Sequence, residues 1–240
     1  GDGRGRGRGD VSRRGPELLC PAGNPEKLAA ALRYGADAVY LAGKRFGMRA
    51  AADNFTHVEL REAVALTHAA GAKLYLALNV LPHEEEYEEL RATLATLADC
   101  PPDGVIAADL GVIAEVKKAL PNVEIHVSTQ AGVVSAEAAE QYRRLGCSRV
   151  VLARELTLEE IKEIRRRTTK EMELEVFIHG SMCVSFSGRC LLSNYFTGRD
   201  ANRGNCAQPC RWGYSLFEIE EETRHGERLP VEQTERGTFL

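Results

Sequence analysis

The stretch GVIAADLGVIAEVKKALPNVEIHVS, residues 104–128, decides the fold. It opens on a run of Val, Ile and Ala with almost no polar alternation, which is how a strand covered on both faces reads. An amphipathic segment, 110–120, follows and stops before Pro121. A second buried strand, 123–128, then begins. A connection of this length is too long for a hairpin and suits a crossover helix, so the two strands are expected to be parallel.

The same unit recurs on both sides. Apolar runs at 17–22, 37–42, 72–78, 149–154 and 174–179 read as five further strands. Amphipathic segments at 25–34, 57–70, 84–98, 135–145 and 157–168 read as helices. Their ends carry local signals. Asn24 caps a helix with Pro25 at its first position, Ser135 caps another, and Thr157 with Glu160 makes a capping box. Gly71 and Gly146 stand where helices should end. A repeat of about 25 residues matches the (β/α)8 unit. A doubly wound dinucleotide fold is disfavoured because the first strand runs into CPAGNPE (20–26), which lacks G-x-G-x-x-G. The expected class is α/β, a TIM-like (β/α) barrel that is incomplete, with about seven βα units and a cysteine-rich loop after strand seven.

Three segments divide the chain. Residues 1–15 alternate Gly with Arg and read as a disordered tail. Residues 16–214 make the barrel domain, including a cysteine cluster at 183–210. Residues 215–240 are acidic and read as an extension or hairpin, where the chain is expected to stop short of an eighth strand. The formal net charge is −4, so nucleic-acid binding would need a local basic patch. No apolar run approaches the roughly 18 residues needed to cross a membrane. The first residues lack the apolar core of a secretory signal, so a reducing cytoplasm is expected, where clustered thiols are ligands rather than disulfides.

Four of the seven cysteines, Cys183, Cys190, Cys206 and Cys210, fall in one polar segment with the spacing C-x6-C-x15-C-x3-C. Thiolates select zinc, copper(I) or iron–sulfur clusters. Structural zinc favours two short knuckles, which these gaps fit poorly. A cluster tolerates irregular spacing. Spacing alone leaves cluster, zinc and redox-active thiols open. Cys20, Cys100 and Cys147 read as small packed hydrophobes. A Cys–His nucleophile from Cys183 and His179 lacks an orienting Asn or Asp. H-E-x-x-H and G-x-S-x-G are both absent.

Function in a barrel gathers at the C-terminal ends of the strands. Those ends carry Cys20 and Asn24; Lys44, Arg45 and Arg49; Asn79; Asp109; Ser128 and Gln130; Arg154 and Glu155; and His179. His179, Arg154, Asn79 and Gln130 are the catalytic candidates. The cysteine segment also sets Arg189, Arg199, Arg203 and Arg211 against the single Asp200, with Phe186, Tyr195, Phe196, Trp212 and Tyr214 interleaved. Cations beside stacking rings are the ingredients of single-stranded RNA recognition. The other reading is that the arginines balance an anionic thiolate site and the rings shield it.

ELLCPAGN (17–24), GADAVYLAG (35–43), HVSTQA (126–131), RVVLARELTLEEI (149–161) and above all LEVFIHGSMCVSFSGRCLLSNYFTGRDANRGNCAQPCRW (174–212) resemble the peptidase U-32, or collagenase-like, family. The form RDANRGNCAQPCRW is most similar to its tRNA-hydroxylating branch. The resemblance implies a (β/α) barrel, a [4Fe–4S] cluster and an RNA base as substrate. By match to the family motif, Cys183, Cys190 and Cys206 are ligands, with Cys210 the natural fourth. The branch implies prephenate-dependent formation of 5-hydroxyuridine at the tRNA wobble position, and relatives imply hydroxylation of a ribosomal RNA cytidine. On this reading Arg45, Arg49 and Arg154 hold a small carboxylate cosubstrate such as prephenate. Arg189, Arg199, Arg203 and Arg211 hold tRNA phosphates, and Tyr195 and Trp212 clasp a base. A collagenase-like peptidase and a zinc-stabilised binding module are the alternatives.

Overall fold

A computed structural model of the chain describes residues 15–48, 54–180, 182–213, 232–234 and 237–239. Seven strands form one parallel sheet: β1 (Leu19–Pro21), β2 (Ala38–Leu41), β3 (Lys73–Leu78), β4 (Gly104–Ala107), β5 (Glu124–Val127), β6 (Arg149–Val151) and β7 (Glu173–Glu175). Each strand pairs with its neighbour in sequence, so the order runs from β1 to β7 without reversal. That order separates the two candidate architectures. A doubly wound sheet reverses direction at a switch point, whereas a barrel adds every new strand on the same side. The chain therefore forms an incomplete TIM-like barrel, a curled half-barrel lined outside by helices.

Helices α1 (Pro25–Arg33), α2 (His57–Ala69), α3 (Tyr87–Leu97), α4 (Leu110–Ala119), α5 (Ala136–Arg144) and α6 (Leu158–Arg167) follow the first six strands. Their starts are set by local chemistry. The Asn24 side chain accepts from Lys27 N, Ser135 from Ala138 N, and Thr157 with Glu160 closes a capping box. A second capping box, Thr56 with Glu59, opens α2, and the segment expected as one helix over 84–98 begins with a 3-10 turn at Glu84–Glu86.

Alternation along each strand divides the buried residues. Leu74, Leu76 and Leu78 of β3, Val105 of β4 and Ile125 and Val127 of β5 join Leu28, Leu90, Leu94, Val112 and Val116 of the helices in the main core. The opposite faces, with Ala38, Tyr75 and Ile106, point into the half-barrel. At the amino-terminal end of the sheet this inner face is polar. Arg149 is nearly buried and donates to Glu17 at 2.7 Å, Glu173 at 2.6 Å and Glu175 at 3.3 Å. Tyr75 donates to Glu17 and stands edge-on to His126, ring centres 4.4 Å apart. The Glu17–Arg149 bond joins the residue run before β1 to β6, so side chains cross the half-barrel here. Burial, then the Arg149 charge, pushes the His126 imidazole down to about 3.

The seventh strand is shorter than the run 174–179 implies. Pairing stops at Glu175, and Val176, Phe177 and Ile178 are exposed. Among the described residues no strand pairs with the far edge of β7, so nothing continues the ladder. Two further strands, β8 (Glu232–Thr234) and β9 (Gly237–Phe239), form an antiparallel pair inside the acidic segment. The expected tail over 1–15 lies almost wholly outside the described residues, as does Arg49.

Candidate functional site

The segment after β7 folds back over the carboxyl ends of β5 and β6 and is fastened there by named bonds. Arg154, just past β6, donates from Nη1 to the Cys183 carbonyl at 2.8 Å and from Nη2 to the Ser185 carbonyl at 3.0 Å. Glu155 accepts from Ser187 N at 2.6 Å and from Ser187 Oγ at 3.0 Å. Ser187 is fully buried and holds a left-handed φ of 44°, a conformation that costs a non-glycine residue energy and persists where surroundings hold it. Arg189 Nε donates to the Gln130 carbonyl at 2.6 Å. The first two cysteines of the motif, Cys183 and Cys190, thus flank a stretch stapled to two strand ends.

The second half of the loop is tied to the first. The Asn202 amide reads the Cys190 backbone from both sides: Oδ1 accepts from Cys190 N and Nδ2 donates to Cys190 O, each at 3.2 Å. Asp200 Oδ1 accepts from the Asn202 backbone N–H at 2.9 Å and so caps the turn that carries this side chain. Ser193 Oγ, on the short helix α7 (Leu192–Thr197), accepts from Ala207 N at 2.9 Å, next to Cys206. Arg203 pairs with Glu86 at 2.8 Å, anchoring the loop to the segment after β3. Gly204 allows the closest approach: with φ 84°, a Cβ there would lie 2.6 Å from the Gly47 carbonyl oxygen.

All four motif cysteines are free thiols, with Cys183, Cys206 and Cys210 exposed and Cys190 half-buried. Two sulfurs already accept backbone hydrogen bonds, Cys190 Sγ from Leu192 N and Cys206 Sγ from Gln208 N, each at 3.3 Å. Burial, then the nearby Cys183 and Cys206, raises the Cys210 thiol. Among the described residues no three His, Cys, Asp or Glu side chains converge to hold a metal ion. Four soft donors, two of them with N–H···S bonds of the kind that tune cluster sulfurs, fit a [4Fe–4S] group in donor chemistry. A cleft of about 650 Å³ borders Cys190, lined also by Asp109, Tyr142, Arg189 and Asn202.

The other candidates divide by what they touch. Arg154 spends both terminal nitrogens on loop carbonyls, which leaves it a loop anchor and not a free carboxylate clamp. Arg45 pairs with Glu89 at 2.5 Å on the outer surface. Asn79 Oδ1 accepts from Met48 N at 3.2 Å and so supports the turn after β2. Gln130 is buried, accepting from Ser128 Oγ at 3.0 Å while its carbonyl holds Arg189. His179 is exposed beyond the end of β7. Arg199 donates to Asn205 Oδ1 and the Cys206 carbonyl, and Arg211 is exposed. Tyr195 and Trp212 are on the loop surface. Glu155, Ser187, Ser193 and Asn202 carry more of the loop than spacing implied. Their signal was the Arg-Glu pair at a strand end and the polar residues between the cysteines.

The family model for peptidase family U32 matches residues 23–238. The tRNA hydroxylation protein P1 of Bacillus subtilis is 45% identical over 205 residues, 85% of this chain and 48% of that protein. The 23S rRNA 5-hydroxycytidine C2501 synthase of Escherichia coli is 38% identical over 200 residues, 83% of this chain and 30% of that protein. The chain thus spans about half, or less, of the length of these relatives. A solved U32 peptidase superposes with a TM-score of 0.56 at 21% identity, covering 71% of each chain, which bears on the fold alone. Match to the family model over nearly the whole described barrel, together with these identities, places the chain in peptidase family U32.

Proposed function

We propose that this chain is the barrel of an RNA-modifying enzyme that converts the wobble uridine of tRNA to 5-hydroxyuridine. In this reading Cys183, Cys190, Cys206 and Cys210 hold a [4Fe–4S] cluster, and prephenate is the small carboxylate cosubstrate. The observation that carries it is the thiol-bearing loop fastened over the carboxyl ends of the strands, where barrels of this kind place their chemistry. A relative whose name is tRNA hydroxylation protein supports the substrate. The long C-x6-C-x15-C spacing, unlike the paired short knuckles of structural zinc, supports a cluster over zinc.

A bound cluster supplies one-electron redox chemistry at the barrel mouth. The chain's own residues do the rest. Arg154, Glu155 and Asn202 hold the loop that presents the sulfurs. Arg199 and Arg211, exposed beside Cys206 and Cys210, meet phosphates. Arg189 and Arg203 act from inside, fixed to Gln130 and Glu86. His179, exposed four residues before Cys183, is the candidate group for moving a proton. With Arg154 and Arg45 engaged elsewhere, Arg49 is the remaining candidate of the three for the prephenate carboxylates. An RNA substrate implies a cytoplasmic protein, and no described helix is long and apolar enough to cross a membrane.

The test is nucleoside mass spectrometry of bulk tRNA from a strain lacking this gene and any redundant pathway. Loss of 5-hydroxyuridine is expected, and an unchanged level refutes the proposal. The ribosomal RNA reading, favoured by the cytidine-hydroxylating relative, predicts loss of 5-hydroxycytidine from 23S RNA instead.

A further inference from the structure

We propose that Tyr195, Phe196 and Trp212, with Arg199 and Arg211 beside them, form a stacking platform for unpaired bases of single-stranded RNA. The rings come together because α7 packs against the 3-10 turn Pro209–Arg211. Tyr195 and Phe196 stand edge to face with ring centres 5.3 Å apart, and Phe196 is 6.0 Å from Trp212. A soluble protein normally buries such a trio, because each ring carries a large apolar area. Here Tyr195 is 81% exposed, Phe196 49% and Trp212 44%.

The indole is held rather than loose. Trp212 Nε1 donates to the Ala207 carbonyl at 3.2 Å, which fixes the indole against the loop between Cys206 and Cys210. The platform therefore borders the thiols. Its charge favours a polyanion. Residues 183–213 contain four arginines and one acidic residue, Asp200, whose side chain is engaged with Asn202. Among the described residues Arg199 donates to the neutral Asn205 Oδ1 and Cys206 carbonyl, and neither Arg199 nor Arg211 has a carboxylate partner. Clustered rings beside guanidinium groups not neutralised by a described carboxylate suit bases that stack and phosphates that neutralise.

The platform rests on the RNA reading above for its partner, and its test is independent of turnover. The 240-residue chain is titrated into a labelled twelve-nucleotide pyrimidine RNA, its duplex, and an abasic strand of the same length, with binding followed by anisotropy. Trp212, the one tryptophan of the chain, gives a second signal by quenching. Single-stranded RNA is expected to bind most tightly and to quench Trp212. Tyr195→Ser is expected to weaken it about 5- to 150-fold, the range for losing one base–ring stack. Arg211→Gln is expected to lower the salt dependence. Tyr195 is exposed enough that its substitution leaves the barrel folded, as circular dichroism would verify.

Equal binding of the abasic strand, or wild-type affinity in Tyr195→Ser, overturns the platform. So does absence of RNA binding with self-association of the chain, which would make the rings a protein interface. A chain that stacks RNA while cellular 5-hydroxyuridine is unchanged keeps the platform and loses the proposed reaction. The reverse result keeps the reaction and loses the platform.

Discussion

Replacing Glu155 with Ala removes two acceptors at once, those of Ser187 N at 2.6 Å and Ser187 Oγ at 3.0 Å. Ser187 is fully buried and sits at a left-handed φ that the surroundings must maintain. Bonds to a charged acceptor contribute about 1.5–3 kcal/mol each. Glu155 is solvent-exposed, which places both at the low end, so about 2–3 kcal/mol is lost together. That is about a 30- to 150-fold rise in local opening of the stretch between Cys183 and Cys190. The barrel core contributes nothing to this contact, so global melting should move little. The assay is hydrogen exchange by mass spectrometry on the peptide covering 183–190, where the Ser187 amide should lose its protection by that factor. Glu155→Gln keeps an acceptor and should fall between. Wild-type protection of this peptide in Glu155→Ala would refute the claim that the strand end of β6 holds the cysteine loop.

Other outcomes follow from the same geometry. Asn202→Asp retains an acceptor for Cys190 N but places a carboxylate oxygen against the Cys190 carbonyl, so iron retained after anaerobic reconstitution should drop well below wild type. His126 has its folded value depressed to about 3 from an ordinary 6.5, so the unfolded chain binds the proton first as pH falls. Stability from this group is present above about pH 6.5 and declines toward pH 3, by up to about 5 kcal/mol, and denaturant titrations of His126→Phe should show a shallower decline. Arg149→Met leaves three carboxylates converging without their cation and should cost about 3–5 kcal/mol in urea unfolding.

The barrel was legible because its signals are local. Val105, Ile106 and Ala107 read as a strand buried on both faces, and Thr157 with Glu160 marked the start of α6 within four residues. Strand seven was overread because Val176, Phe177 and Ile178 have the composition of a buried strand, while whether they pair depends on a neighbour that composition does not encode. The loop was legible in its donors and not in its wiring. Arg154 and Glu155 look like substrate-binding groups at a strand end. Their bonds to Cys183, Ser185 and Ser187 span about thirty residues and exist only once the chain has curled. Helix α7 was hidden because LSNYFT is short, carries Asn194 inside it and runs into Gly198 and Arg199, yet it sets the rings beside the thiols.

Anaerobic purification with iron, sulfide and zinc assays beside an absorbance spectrum tests directly whether the four loop cysteines carry a [4Fe–4S] cluster. Broad visible absorbance and about four irons and four sulfides per chain are expected, sharply reduced in Cys210→Ser. One zinc per chain with no visible absorbance, or iron content unaffected by loss of any of Cys183, Cys190, Cys206 and Cys210, would contradict it.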